Sequence, residues 1–236
     1  MSMAEWGNYN WPLISFSFDD GGASTYNVGL PLFQSFGAVA CAGIVATYPG
    51  NEAGMMSWAE ILELQAAGWE ICCHSYDHDL THWNNASEEI MTSQLITTWE
   101  ILAAQGCRVN NYICPGATVF TSPASVFSTA KQMYHSARST NLGVNEMPMV
   151  DTITALWALK VQYLDGRDIT TCKAVIDAEI AYAAKGARHW IQFYGHQFNA
   201  EDVVFLTELL MYIQSKNLGI YTTQQALDIG GVVRWE

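Results

Sequence analysis

Two neighbouring aspartates, Asp19 and Asp20, and two histidines four residues apart, His74 and His78, are the side chains in this sequence best suited to chemistry. The aspartates end the stretch Ile14-Ser15-Phe16-Ser17-Phe18-Asp19-Asp20-Gly21-Gly22, whose alternation of apolar and hydroxyl residues reads as a half-buried strand. Like charges side by side weaken a fold unless a cation or a polar task accounts for them. On a helical turn the His74–His78 spacing points both imidazoles the same way, which suits two ligands of one ion. Two histidines, one carboxylate from another strand and an open position make a catalytic metal arrangement. The plainer alternative is a capped turn with solvated aspartates and a solvated histidine face.

Such a set must be held by regular elements, and the chain supplies them in alternation. The apolar runs LISFSF, AVACAGIV, WEICC, NNYIC, MYHSA, ALKVQYL, HWIQFY and LGIYTT read as strands. Between them lie helical patterns near 26–36, 57–67, 87–105, 122–132, 170–184 and 200–215, with a short helix at the end. Asn85 with Glu88 resembles a capping box, and Gly68, Gly106 and Gly186 stand just past helices, where a left-handed residue is wanted. This rhythm implies parallel β-α units, either an open doubly wound sheet or a β/α barrel, with chemistry at the carboxyl ends of strands. Asp19 and Asp20, His74, Pro115 and Gly116, and His196 all occupy such ends. Glycine-rich dinucleotide and triphosphate loops and the GxSxG elbow do not occur in the sequence.

The 236 residues suit a single domain over 1–236, with 1–12 as a lead-in. Half of them are hydrophobic, enough for a large core. A net charge of −13 with ten Lys and Arg argues against nucleic acid as a partner, which needs clustered cations. There is no apolar run of membrane-spanning length, and the first residues lack the features of a secretory signal. The six cysteines show no CxxC spacing and read as buried free thiols. The sequon Asn85-Ala86-Ser87 is too short a pattern to carry weight.

Phe18-Asp19-Asp20-Gly21, His74-Ser75-Tyr76-Asp77-His78 and Ile191-Gln192-Phe193-Tyr194-Gly195-His196, in that order, resemble the motifs of the polysaccharide deacetylase (NodB-homology) family, carbohydrate esterase family four. The resemblance spans roughly residues 13–225. It implies an α/β fold, a distorted (β/α) barrel with about seven parallel strands, and metal-dependent removal of acetyl groups from an acetylated glycan. Carried over by position, Asp20, His74 and His78 are the metal ligands, Asp19 the general base and His196 the general acid. Zinc suits imidazole and carboxylate ligands together, with nickel or cobalt able to substitute. An oxyanion would face the metal and a backbone N–H near Gly116, beside Pro115. Ile191, Phe193 and Trp157 are candidates to wall the acetyl methyl, Trp157 being equally readable as core. Trp83 and Tyr48 are candidates to stack on sugars, whereas His135 and His189 read as hydrogen-bonded structural groups and His82 as surface. Glycan chemistry suggests an extracellular or surface-acting protein, or a module of a larger secreted or virion protein.

The chain departs from the family where the third motif, Arg-x-Pro-x-Gly, should place an arginine beside the catalytic aspartate. Here the segment is NNYICPGATV, with Ile113 or Tyr112 at that position depending on whether Pro115 or Gly116 is aligned. Among five arginines, Arg138 alone falls at the carboxyl end of a strand, so it is the expected replacement partner of Asp19. Asp151, Asp165 and Asp168 are the candidates to orient His196. Two further readings stay open: another amide hydrolase on the same scaffold, and a carbohydrate-binding module that has lost activity along with the arginine.

Overall fold

The computed structural model describes residues 9–79, 87–116, 124–150 and 156–233. His82, Trp83, Asn85, Ala86, Asp151 and Arg234 lie outside them. The strands are β1 (Leu13–Phe18), β2 (Cys41–Ile44), β3 (Glu70–Cys73), β4 (Val109–Ile113), β5 (Ser136–Leu142), β6 (Asn145–Glu146), β7 (Met149–Val150), β8 (Leu159–Tyr163), β9 (His189–Gly195) and β10 (Val232–Val233). The helices are α1 (Leu30–Ser35), α2 (Trp58–Ala66), α3 (Glu88–Ala104), α4 (Ala124–Met133), α5 (Ile169–Ala183), α6 (Ala200–Ser215) and α7 (Thr223–Gly230).

Strand β1 is buried on both faces, as strands of a parallel sheet covered by helices must be. Phe16 and Phe18 meet Phe33 of α1, and Phe18 also meets Trp69 and Phe198, so this face looks at the helices. Ser15 looks the other way, accepting a hydrogen bond from Nε1 of Trp190 on the neighbouring strand β9 at 2.9 Å. Seven strands pair in parallel in the order β1-β2-β3-β4-β5-β8-β9, and β9 returns to β1, closing a distorted (β/α) barrel. The distortion is local: register shifts lie between Ile71 and Cys73 on β3 and between Arg138 and Leu142 on β5.

Capping chemistry sets the helix starts. Ser57 and Glu60 form a capping box on α2, and Asn199 and Asp202 form one on α6. The start of α3 differs from the sequence expectation: Ser87 is its N-cap, accepting from the N–H of Ile90. Gly68, Gly106 and Gly186 all adopt positive φ just past helices, near +92°.

Two further differences concern short pieces. LGIYTT does not form a strand; it meets β1 only through an Ile14–Ile220 bridge, because Thr222 already caps α7. The two-residue β6 pairs antiparallel with the start of β9, and β7 pairs with β10. Helix α7 covers the amino-terminal end of the barrel, where the Gln224 N–H donates to Oε2 of Glu70 at 2.8 Å. Every cysteine is a buried free thiol. Among the described residues no helix is long and apolar enough to cross a membrane.

Candidate functional site

Asp20 leaves β1 at φ +71° and Gly21 follows at +77°, a left-handed pair that turns the chain sharply. Oδ1 of Asp20 is buried without an aligned hydrogen-bond donor, yet it lies 3.3 Å from Nε2 of His74 and 3.4 Å from Nε2 of His78. The histidines converge by a loop and not by a helical turn. Ser75 and His78 take φ of +67° and +56°, and the His78 N–H donates to Oγ of Ser75 at 3.0 Å. Gln94 braces the same loop, accepting from the Tyr76 N–H and donating to Asp77.

The tautomer of His74 follows from its partner. Nδ1 lies 2.9 Å from the carbonyl oxygen of Ile113, which can only accept, so Nδ1 carries the proton and Nε2 keeps its lone pair for an ion. Burial and the nearby His74 lower the His78 pKa, which keeps this imidazole neutral as a ligand must be. Burial pushes the Asp20 carboxyl up, but the hydrogen-bonding contact with His74 and the proximity of the other histidines outweigh it and leave the pKa lowered. Two neutral-capable imidazoles and a carboxylate oxygen without an aligned donor fit a divalent metal.

Asp19 is 3% exposed and points into the barrel mouth. Nη2 of Arg138 donates to both of its oxygens, with 2.5 Å to Oδ1, while Nη1 donates to the carbonyl of Ser139. The guanidinium also lies 4.6 Å from the centre of the Tyr194 ring. Arg138 is the register partner of Ile113 on the adjacent strand. A cation missing from β4 is thus supplied one strand over, at the same height.

His196 follows β9, which lies beside β1. Nδ1 of His196 contacts Oδ2 of Asp165 at 2.5 Å, which singles out Asp165 over Asp168, the latter standing at the N-cap position of α5 with no side-chain capping bond. That hydrogen bond, reinforced by the charges of Asp19, Asp165 and Asp20 against the effect of burial, raises the His196 pKa. Asp165→Asn should therefore lower the pH at which His196 loses its proton, which an NMR titration of variant and parent would measure.

Two other expected site residues, Ile191 and Phe193, fall out differently. Ile191 and Phe193 are fully buried, and Phe193 stacks on Phe16 in the helix-facing layer, so neither can wall an acetyl group. The inward positions of β9 are instead Trp190, Gln192 and Tyr194, by strand alternation from the Trp190–Ser15 contact. Pro115 and Gly116 sit at the carboxyl end of β4, with Gly116 at φ +62°. Trp157 is core at 2% exposure, while Tyr48 is half-buried, with its pKa raised by burial and by the charge of Asp20. His135 contacts Gln224, and His189 pairs with Glu179, both away from this cluster.

Known proteins give the arrangement a context. No curated protein sequence matches the chain. The domain of a multidomain xylanase from the hindgut metagenome of Trinervitermes trinervoides, described as Xyl-CE4, superposes with a TM-score of 0.60 at 17% identity, over 97% of this chain and 98% of that one. A family 4 carbohydrate esterase from Streptomyces lividans, in complex with acetate, gives 0.57 at 14% identity over 88% and 91%. A mutant CE4 family pseudoenzyme with restored enzymatic activity gives 0.57 at 13% identity over 94% and 69%. These likenesses share the barrel, and the sequence profile described as Polysaccharide deacetylase matches residues 7–134. That match covers more than half of the sequence, and the chain belongs to the polysaccharide deacetylase family.

Proposed function

We propose that this chain is an active hydrolase that removes N- or O-linked acetyl groups from a polysaccharide, using a divalent metal, zinc by preference, held by Asp20, His74 and His78. The observation that carries the reading is that two further pairs, Asp19–Arg138 and Asp165–His196, flank the three ligands at one end of the barrel. The bound ion would lower the pKa of a water to roughly 7 and polarise the acetyl carbonyl. Asp19, fixed by Arg138, takes the proton from the attacking water. His196, held by Asp165 with Nδ1 toward the carboxylate, presents Nε2 to the departing nitrogen or oxygen and protonates it.

A lapsed binding module is the competing reading, since the family includes pseudoenzymes. The buried Arg138–Asp19 pair counts against it: sugar binding has no use for a charge pair beneath the surface. Acetate release from acetylated xylan, chitooligosaccharides and peptidoglycan is the direct test. Release that is lost with a chelator and restored by Zn2+ supports the proposal; glycan binding without release from any of them supports the lapsed module. On a responsive substrate pair, His196→Ala should cost more turnover for an N-acetyl group than for an O-acetyl group with a good leaving alcohol, because the amine depends more on the acid. Equal losses would count against the acid role.

A further inference from the structure

A second group of ligand-type side chains lies at the opposite end of the barrel. Cys41 on β2 and Glu70 and Cys72 on β3 turn into the interior, all buried, with ligand atoms within 4.8 Å of one another. Strand alternation separates Cys72 from Cys73: Cys73, Cys107, Cys114 and Cys172 belong to the large apolar core, whereas Cys41 and Cys72 share a small separate cluster with Ile113. The two inward thiols flank the carboxylate symmetrically. Sγ of Cys41 is 3.7 Å from Oε2 of Glu70, and Sγ of Cys72 is 3.7 Å from Oε1.

Each separation is close to the sulfur–oxygen edge of a coordination tetrahedron, the two thiols standing by different oxygens of the one carboxylate. Bonds of about 2.3 Å to sulfur and about 2.1 Å to oxygen at the tetrahedral angle set the sulfur–oxygen edge at about 3.6 Å. We propose that the barrel base binds a zinc-type divalent ion through Sγ of Cys41, Sγ of Cys72 and the Glu70 carboxylate, separate from the Asp20, His74 and His78 set. Oγ1 of Thr223 lies 3.4 Å from Sγ of Cys41.

The surroundings suit the charge that would result. Both thiols release their protons to solvent when they bind the ion, so a dication with two thiolates and one carboxylate carries a net −1. Donors already face that excess: Nδ2 of Asn111 is 2.5 Å from Oε1 of Glu70, the Gln224 N–H is 2.8 Å from Oε2, and the Thr223 N–H lies 3.3 Å from Sγ of Cys41. The two backbone donors are the first N–H groups of α7, whose dipole favours negative charge there. A cavity of about 330 Å³, lined among others by His135, Asp228 and Gln224, lies next to the residue whose N–H donates to Glu70.

Cobalt distinguishes the two sites, because only thiolate ligands give a near-ultraviolet sulfur-to-cobalt charge-transfer band. The full chain, stripped with a chelator under reducing conditions, is titrated with Co2+. The expected result is two equivalents bound, one of them developing that band. His74→Ala/His78→Ala should bind one equivalent and keep the band. Cys41→Ser/Cys72→Ser should bind one equivalent without it, and Glu70→Gln should weaken the band-forming equivalent at least tenfold. A parent protein that takes up cobalt with no such band overturns the proposal without any variant having to fold, as does a band that persists in Cys41→Ser/Cys72→Ser. Neither outcome bears on acetate release, so the proposed function stands or falls separately.

Discussion

Asp19→Asn is expected to lose roughly a hundred- to ten-thousand-fold in turnover, the range associated with a positioned general base, while retaining its metal. Asp20→Asn should do the opposite in order of cause, losing the metal first and activity with it. The neighbours differ in what surrounds them. Asp19 is bound by the Arg138 guanidinium, whereas Oδ1 of Asp20 faces two imidazole nitrogens at 3.3 and 3.4 Å. An amide at position 19 can still accept a hydrogen bond from Arg138 but cannot take a proton from water. Acetate-release kinetics beside elemental analysis separate the two cases; equal metal loss in both variants would show that the roles are misassigned.

Arg138→Met is expected to reduce both turnover and stability. Its guanidinium is 2% exposed and the Asp19 side chain 4%, so the variant strands a carboxylate in the barrel mouth. Removing one partner of a buried ion pair costs about 3–5 kcal/mol, which for a chain of this length lowers Tm by roughly 6–20 °C. The Asp19→Asn/Arg138→Met double variant should recover much of that stability and none of the turnover. Thermal unfolding of the four proteins of this cycle is the measurement. A single variant that melts with the parent would mean that the pair does not form in solution.

The sequence made some of this site plain. Asp19, Asp20, His74 and His196 were legible because alternating strands end in polar residues only where something uses them, and Arg138 because no other arginine stood at a strand's carboxyl end. Asp165 had the same signal, as the first acid beyond the carboxyl end of β8, but Asp168 three residues on carried a similar one. The His74–His78 spacing was informative for the wrong reason: two left-handed residues, invisible in residue type, bring the rings together where a helix was expected. Ile191 and Phe193 misled because HWIQFYG is bulky on both faces. A strand buried on both sides hides its parity, and contacts such as Trp190–Ser15 and Phe193–Phe16 reveal which face is inward.

The closure of β1 against β9 has a consequence for how activity arises as the chain is made. Six consecutive register pairs, from Leu13 with Trp190 to Phe18 with Gly195, join segments more than 170 residues apart. Asp19 is carried just beyond one of these strands and His196 just beyond the other. Contacts of such sequence separation form late and fold slowly, since the entropy of closing the intervening chain must be met first. A chain synthesised only as far as β8 holds Asp19, Asp20, His74, His78 and Arg138 but lacks both the strand that completes the sheet and His196. The Asp165–His196 pair therefore cannot join the Asp19–Arg138 pair until the last strand of the barrel zips onto the first, so the two halves of the cluster are made at well-separated stages of synthesis.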